Sequence, residues 1–320
     1  MSTLLSFIIP CYRSEKTIQL VIEEIQNIVS EKPTYDYEII CINDFSPDNV
    51  YEKLKELSSN NPNIKIINLA KNIGRHAAIM AGYNYANGKY IVNLDDDFQS
   101  PMIEFWRLLG PVEKNECDIS VAKYLKKRQS AWKKLGSNFY NLTSSIFFDK
   151  PKGLRFENFS VMKKFVMSEI LKYKNPYPNI ESLALRVTHN IQELEMNFRD
   201  RADDNSSGFT FSKNISLYMT SLTSSSLIPL RFSIICGIIF AISGFLYGLY
   251  IIIKIKIGVA MPIGYPSIIS FLLFSSGIIM IILGVIGEYI GRIYNSLNAA
   301  PQFVIKNSVN LENKRNINID

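Results

Sequence analysis

The chain has 320 residues, of which 47% are hydrophobic and 20% are charged, and Lys plus Arg exceed Asp plus Glu by 35 to 29. The resulting net charge of +6 is small and dispersed, which argues against nucleic-acid binding and suits an anionic membrane surface and phosphorylated substrates. Four scattered cysteines and only two histidines argue against a disulfide framework, a zinc site and a histidine-based metal centre.

The first half of the chain alternates short apolar runs with helical patterns. The runs predict strands over residues 5–10, 37–42, 64–69 and 90–94, separated by helices around residues 18–28, 54–57 and 76–86. This alternation predicts an α/β fold with a doubly wound, mostly parallel sheet covered on both faces. Ligands bind such sheets beyond the carboxyl ends of the strands, where Tyr12, Asp44 and Asp95 fall.

Two long uncharged stretches follow in the second half. Residues 232–253 form a run of 22 and residues 267–287 a run of 21, and a loop containing Gly258 and Pro266 joins them. At about 1.5 Å per residue, each run is long enough to cross a bilayer core of roughly 30 Å. The pattern favours a transmembrane hairpin over a hairpin buried in a protein core.

The hairpin sets the predicted domain organisation. Four flanking cations lie on the side of the two chain ends and two in the opposite loop, which places the large domain in the cytosol. The predicted parts are a cytosolic α/β domain (1–213), an interfacial amphipathic segment (214–230), a transmembrane hairpin (231–292, with spans at about 232–253 and 267–289) and a cytosolic tail (293–320).

Three consecutive carboxylates, Asp95, Asp96 and Asp97, follow the fourth predicted strand. Mg²⁺ or Mn²⁺ would relieve their mutual repulsion, because these ions prefer oxygen ligands and bind through one or two carboxylates plus substrate phosphates. An exposed acidic turn that caps the next helix explains the same pattern. The triplet alone leaves both interpretations open.

Several segments together resemble family-2 glycosyltransferases with the GT-A fold. Residues 95–101, Asp-Asp-Asp-Phe-Gln-Ser-Pro, are similar to that family's DxD-L-Q-x-P segment, and residues 8–12, 42–46 and 72–82 match further segments in the family's order and spacing. The resemblance implies a nucleotide-sugar donor. It implies donor-binding roles for Pro10, Tyr12, Glu15, Asp44, Asp95 and Asp96, catalytic roles for Asp95 and Asp97, and metal binding by Asp97 with Asp95.

The chain also departs from that family's pattern. Arg13 and Ser14 stand where Asn-Glu is usual after the tyrosine, and Asn43 replaces the first of two acids on the second strand. These changes leave the fold and the metal site in place. They put the identity of the nucleotide base in doubt.

A basic stretch bears on the acceptor. Six cations lie between Lys123 and Lys134, and the following residues look like the basic and serine segment of polyprenyl-phosphate sugar transferases. A solvated helix face is the ordinary alternative for such a charge run. The resemblance implies acceptor-phosphate binding by Lys123, Arg128, Lys133 and Ser137, and by Arg201 in a later loop that resembles the family's R-x-x-G-x-S-G-Y-T segment.

Residues 287–294, Gly-Glu-Tyr-Ile-Gly-Arg-Ile-Tyr, resemble the signature of bactoprenol-type glucosyltransferases, although an interfacial anchor has the same composition.

The chain as a whole is predicted to be an integral membrane enzyme that moves a sugar from a nucleotide-sugar to a polyprenyl phosphate and inverts the sugar's anomeric configuration. Undecaprenyl phosphate is the expected carrier. The acceptor is already an anion and needs no general base, which fits the Glu157-Asn158 pair where enzymes acting on hydroxyls carry Glu-Asp. The alternatives are a transferase acting on a sugar hydroxyl and a non-catalytic nucleotide-sugar-binding membrane scaffold. The sequence leaves the donor sugar open, and a homo-oligomer is a further expectation.

Overall fold

The computed structural model describes residues 2–124, 158–197, 199, 253, 256–257, 264–297 and 301–311. The chain divides into two compact units, residues 1–209 with 299–320 and residues 210–298. The first unit contains β1 (Thr3–Cys11), α1 (Ile18–Ser30), β2 (Tyr35–Asn43), α2 (Val50–Asn60), β3 (Ile64–Leu69), α3 (Arg75–Tyr83), β4 (Tyr90–Asn93), a 3₁₀ turn (Met102–Glu104), α4 (Phe105–Glu113), β5 (Ile119–Tyr124), β6 (Ser160–Lys163), α5 (Lys164–Ile170), α6 (Ile180–Val187), β7 (Ile191–Met196) and β8 (Ile305–Val309).

The strands form one eight-stranded sheet in the order β7-β5-β6-β4-β1-β2-β3-β8. The four central strands β4, β1, β2 and β3 are parallel, and β5 is parallel to β7. Strand β6 is antiparallel to both β4 and β5, and β8 is antiparallel to β3. The sheet is therefore mixed, with the predicted parallel core at its centre.

Both faces of the sheet are covered, as the sequence predicts. Phe7 and Ile9 of β1 belong to one hydrophobic core, which includes residues of α1, α2 and α4, and Ile8 belongs to the other, which includes residues of α3, α5 and α6. A strand buried on both faces is mostly apolar rather than alternating, and β1 is apolar from Leu4 to Cys11 except for the buried Ser6. Cys11, Cys41 and Cys117 are buried free thiols.

Helix α3 ends three residues before the predicted end at residue 86. The side-chain amide of Asn84 donates to the Met80 carbonyl at 2.7 Å. Asparagine competes in this way with the backbone for helical carbonyls, so it terminates helices readily. The helix lies very close to the sheet: a β-carbon on Gly82 would come within 2.8 Å of side-chain carbons of Ile8 and Ile42.

Gly82→Ala is expected to lower the free energy of unfolding by about 1–3 kcal/mol, because the added methyl overpacks the contact between α3 and the sheet. Gly110→Ala in α4 is the matched control, since a β-carbon there meets nothing within 4 Å. Thermal unfolding of both purified variants measures the difference. An unchanged melting temperature for Gly82→Ala would refute the close approach.

A buried glutamate joins three strands at the amino end of the sheet. Glu38 of β2 is 3% exposed. It accepts hydrogen bonds from the Ser6 hydroxyl at 2.5 Å, the Lys65 ammonium at 2.6 Å and the Asn87 backbone N–H at 2.6 Å. Although burial opposes ionisation, these donors hold the pKa of Glu38 below its usual value. The group lies at the edge opposite the predicted site.

The C-terminal part of the chain returns to the sheet. Residues 293–320 are a tail in the sequence prediction, but β8 within them pairs with β3, with Ile67 opposite Ser308. The Asn310 side-chain amide fixes the end of the strand by donating to the carbonyls of Ser58 and Ile64 at 2.9 and 3.0 Å. This strand was missed because its pairing is with a segment more than 200 residues away.

The second unit contains α7 (Tyr265–Leu297), a single helix of 33 residues. Among the residues that the structure describes, no helix meets the combined requirements of length and apolarity for a membrane span. Most of the residues between 200 and 263, including all but the last residue of the first predicted span, lie outside the described part of the chain.

Candidate functional site

The carboxyl ends of the central strands bring the predicted residues to one edge of the sheet. Cys11 at the end of β1 is level with Asn43 at the end of β2, and Ile8 of β1 is level with Asn93 at the end of β4. Tyr12 and Asp44 follow β1 and β2 directly, and Asp95 lies two residues beyond β4. The sequence thus predicted correctly which residues the sheet brings to one edge.

Asp95, the first residue of the acid triplet, is held by two side chains. Its Oδ1 atom lies 3.1 Å from Nη2 of Arg75, and its Oδ2 atom accepts a hydrogen bond from the Asn158 amide at 2.5 Å. Arg75 also donates through Nη1 to the Asn158 side-chain oxygen. The three side chains therefore form a closed ring of one ion pair and two hydrogen bonds.

Asp96 is tied to the turn that precedes α1. Its Oδ2 atom accepts the Tyr12 backbone N–H at 2.8 Å, and its backbone carbonyl accepts the Thr17 hydroxyl at 2.6 Å. Burial, with a smaller contribution from the charges of Asp95 and Asp97, raises the pKa of Asp96 to about 7. The shift shows that this environment disfavours the ionised form of the carboxyl.

Asp97 is the third residue of the triplet. Its Oδ1 atom accepts the Gln99 backbone N–H at 3.2 Å, across a turn in which Phe98 has a φ of 61°. Within the described residues, no three His, Cys, Asp or Glu side chains are grouped so as to hold a metal ion. The triplet nonetheless supplies only hard oxygen donors, which is the donor chemistry that Mg²⁺ and Mn²⁺ prefer.

Asp44 organises the loop before α3. It is 3% exposed, and its two carboxylate oxygens accept the backbone N–H groups of Ile73 and Gly74 at 2.8 and 2.9 Å. Burial raises the pKa of Asp44 against the opposing effect of these two bonds. Gly74 has a φ of 85°, a conformation that favours glycine.

Side chains connect the exit loops of β1 and β2. The Arg13 N–H donates to the Ser46 hydroxyl at 2.8 Å, and the Glu15 N–H donates to Asp48 at 2.9 Å. Glu15 accepts in return from the Asn49 N–H at 3.3 Å. Arg13 and Phe45 both have positive φ values, 59° and 51°, and non-glycine residues in this region cost energy and concentrate at functional sites.

The structure places the other predicted site residues as follows. Pro10 is buried at the end of β1, and Tyr12 is 44% exposed beside it. Lys123 near the end of β5 forms an ion pair with Glu193 of β7 at 2.9 Å, so its ammonium has a protein partner. The remaining candidates lie outside the described residues: Arg128, Lys133, Ser137 and Arg201.

Three residues at this edge received no role from the sequence. Arg75 lies within residues 72–82, which resemble a segment of the family, and Asn158 entered the argument only as the residue that stands where other enzymes carry aspartate. Arg199 was not singled out: it forms a bidentate ion pair with Glu24 of α1, and its guanidinium lies 4.4 Å from the centre of the Phe98 ring. The signal for Arg75 was its place directly after Gly74, at the start of α3. For Asn158 and Arg199 no local signal existed.

Comparisons with known proteins find two family models that match the chain. The family model described as "Glycosyl transferase family 2" matches residues 6–171, and the one described as "GtrB C-terminal hairpin" matches residues 228–293. The glycosyltransferase YkcC of Bacillus subtilis is 32% identical over 318 residues, which cover 97% of this chain and 95% of that protein.

Two further relatives have names that specify an acceptor. The undecaprenyl-phosphate 4-deoxy-4-formamido-L-arabinose transferase of Photorhabdus laumondii is 29% identical, covering 98% of this chain and 96% of that one. The bactoprenol glucosyl transferase of a Shigella flexneri prophage is 28% identical, covering 95% and 98%. Among solved structures, glucosyl-3-phosphoglycerate synthase of Mycobacterium tuberculosis with Mn²⁺ and UDP-glucose has a TM-score of 0.51 at 14% identity. The match covers 70% of this chain and 79% of that one, and it supports the fold.

Proposed function

The chain belongs to glycosyltransferase family 2, and from this premise we propose that it moves a sugar from a nucleotide-sugar to a polyprenyl phosphate, with undecaprenyl phosphate as the expected carrier. The observation that carries the choice of acceptor is the match of residues 228–293 to the GtrB C-terminal hairpin. It is supported by the relatives named for undecaprenyl-phosphate and bactoprenol transfer, which align over nearly their whole length.

The reaction we propose is a direct displacement with inversion. An oxygen of the lipid phosphate forms a bond to the anomeric carbon of the sugar, and the bond from that carbon to the nucleotide diphosphate breaks. A phosphate monoester with a second pKa near 6 is already ionised at neutral pH, so no side chain has to remove a proton. This fits the Asn158 amide beside Asp95, because an amide cannot act as a base.

A divalent ion, Mg²⁺ or Mn²⁺, is part of the proposal. Asp97, with Asp95, would hold it, and its chemistry would be to offset the charge that develops on the leaving diphosphate. The oxygen-only donors of the triplet fit a hard cation at this place. Pro10, Tyr12, Glu15 and Asp44, at the ends of β1 and β2, would surround the base and ribose.

We assign the acceptor phosphate to Lys123, at the same edge, and to four residues outside the described part of the chain. Val121 of β5 is paired with Ser160 of β6, and Ser160 is paired with Asn93 at the end of β4. Lys123 lies two residues beyond Val121, toward the edge of the sheet that carries the acid triplet. It would have to exchange its ion pair with Glu193 for the phosphate. Arg128, Lys133, Ser137 and Arg201 are assigned on sequence resemblance alone.

We further propose that residues 231–292 cross the membrane twice, with the α/β domain in the cytosol. The support is the two uncharged runs, of 22 and 21 residues, and the hairpin match. The compact units add a topological argument: residues before 210 and after 298 belong to the same unit. A segment that leaves a folded unit and returns to it must cross a bilayer an even number of times.

A transfer assay tests the proposal. Membranes containing the protein, supplied with undecaprenyl phosphate and a panel of radiolabelled nucleotide-sugars, should transfer label from at least one donor into an organic-extractable, mild-acid-labile lipid. Membranes without the protein are the control. Label in a polysaccharide or in an acid-stable glycoside would favour a hydroxyl acceptor instead, and no transfer with any donor would contradict the activity.

A further inference from the structure

The ring formed by Arg75, Asp95 and Asn158 joins three separate elements. Arg75 is the first residue of α3, Asp95 lies two residues beyond β4, and Asn158 lies two residues before β6. Ser160 of β6 is level with Asn93 of β4 in the antiparallel pair, so the register itself brings residue 158 beside residue 95. The ring therefore depends on the pairing of β4 with β6 and on the place where α3 begins.

The ring uses both carboxylate oxygens of Asp95. Oδ1 faces the Arg75 guanidinium at 3.1 Å and Oδ2 accepts from Asn158 at 2.5 Å, while Asn158 accepts from Arg75. Charge-assisted bonds of this kind fix both the position and the rotation of a carboxylate. The Arg75 Nε atom is buried and makes no hydrogen bond within the described part of the chain, so the guanidinium is held through its two terminal nitrogens.

The ring also adjusts the charge of the acid triplet. Arg75 supplies one positive charge beside three consecutive carboxylates, and the side chains of Arg75 and Asp95 are only 30% and 24% exposed. Solvent therefore screens this pair less than it screens a surface pair. Removing Arg75 makes the site more negative, whereas removing Asn158 leaves its charge unchanged.

We propose that Arg75 and Asn158 are positioning residues for sugar transfer, because they hold Asp95 by both of its carboxylate oxygens. The positive charge of Arg75 also weakens the attraction of the acid triplet for a divalent cation. The proposal rests on the proposed function for its kinetic readout only. Its second readout, the binding of Mn²⁺ alone, does not require transfer to any lipid.

The two residues have different expected signatures. Arg75→Ala should lower kcat by about 10- to 100-fold, because Asp95 is no longer held in place. The same variant should bind Mn²⁺ about 3- to 10-fold more tightly, since a nearby positive charge is lost. Asn158→Ala should lower kcat by about tenfold with unchanged Mn²⁺ affinity. Arg75→Lys keeps the charge and should retain the wild-type Mn²⁺ affinity while recovering part of kcat.

The experiment measures free Mn²⁺ by electron paramagnetic resonance in titrations of the full-length protein, and kcat and donor KM in the transfer assay. Lys172→Ala is the control for loss of a cation. Lys172 follows α5, is 71% exposed and forms an ion pair with Glu169 of that helix. Melting temperatures show whether each variant is folded. Arg75→Lys serves as the second variant where Arg75→Ala does not fold.

The outcomes separate the proposal from its rivals. Weaker Mn²⁺ binding together with lower kcat in Arg75→Ala would indicate general damage to the site and overturn the proposal. A higher donor KM with unchanged kcat would assign Arg75 to donor binding and also overturn it. If the wild-type protein transfers no sugar, the proposed function fails, while the Mn²⁺ titrations of the three variants still decide whether Arg75 weakens cation binding.

Discussion

Asp97→Asn should reduce sugar transfer to lipid by at least about a thousandfold, because the variant removes the charged oxygen that we assign to the divalent ion. The asparagine side chain keeps a carbonyl oxygen that can accept the Gln99 N–H, so the turn after β4 should be preserved. The measurement is the initial rate of label transfer to lipid in membranes with matched amounts of protein.

Asp36→Asn is the matched control for this change. Asp36 is exposed near the start of β2, at the opposite edge of the sheet, where its carboxylate accepts only the neighbouring Tyr37 N–H in the described contacts. Its activity should equal that of the wild type. A normal rate in Asp97→Asn would remove the metal assignment and leave the acid triplet as a turn that caps the following segment.

Glu38→Ala should lower the free energy of unfolding by about 3–5 kcal/mol, because it leaves the partly buried Lys65 ammonium and the Asn87 N–H without their shared acceptor. This is a large fraction of the total stability of an ordinary domain. Thermal or denaturant unfolding of the purified protein measures the loss. Glu56→Ala is the control, since Glu56 is 67% exposed in a surface pair with Lys53 and should change stability by less than about 1 kcal/mol.

The same variant has an expected pH dependence. The folded-state pKa of Glu38 lies below its usual value, so the unfolded chain binds more protons and the stabilisation is fully present above the unfolded-state pKa, about 4.3. It is lost as the pH falls through the folded-state pKa. The difference in free energy of unfolding between wild type and Glu38→Ala should therefore be constant near neutral pH and become smaller in acid. A difference that grows in acid would contradict this assignment.

The sequence predicted the centre of the sheet well, because local pattern and burial agree there. Strand β1 is apolar from Leu4 to Cys11 except for Ser6, and the protein buries its residues on both faces. The edges were harder to predict. Strand β8 pairs with β3 across more than 200 residues, and its Lys306-Asn307-Ser308 segment has no apolar pattern of its own.

The residues of the candidate site also differ in how well the sequence predicts them. The acid triplet and Asp44 were found because they directly follow strong strand patterns. The ring around Asp95 was not found, because Asn158 precedes the antiparallel strand β6, which lies between β4 and β5 in the sheet. Only the register of β6 against β4 brings the amide to the triplet. Lys123 was found as a cation, but its Glu193 partner depends on the pairing of β5 with β7.

The return of β8 to the sheet has a consequence for how the protein is made. The ribosome completes β3 long before it reaches residues 305–309, and in between it synthesises the whole segment that we place in the bilayer. Until β8 arrives, the outer edge of β3 presents unpaired N–H and C=O groups, and such an edge invites pairing with other chains. The sheet can therefore be completed only after the hairpin has been synthesised. Delayed insertion of the hairpin would prolong the period in which newly made chains can aggregate.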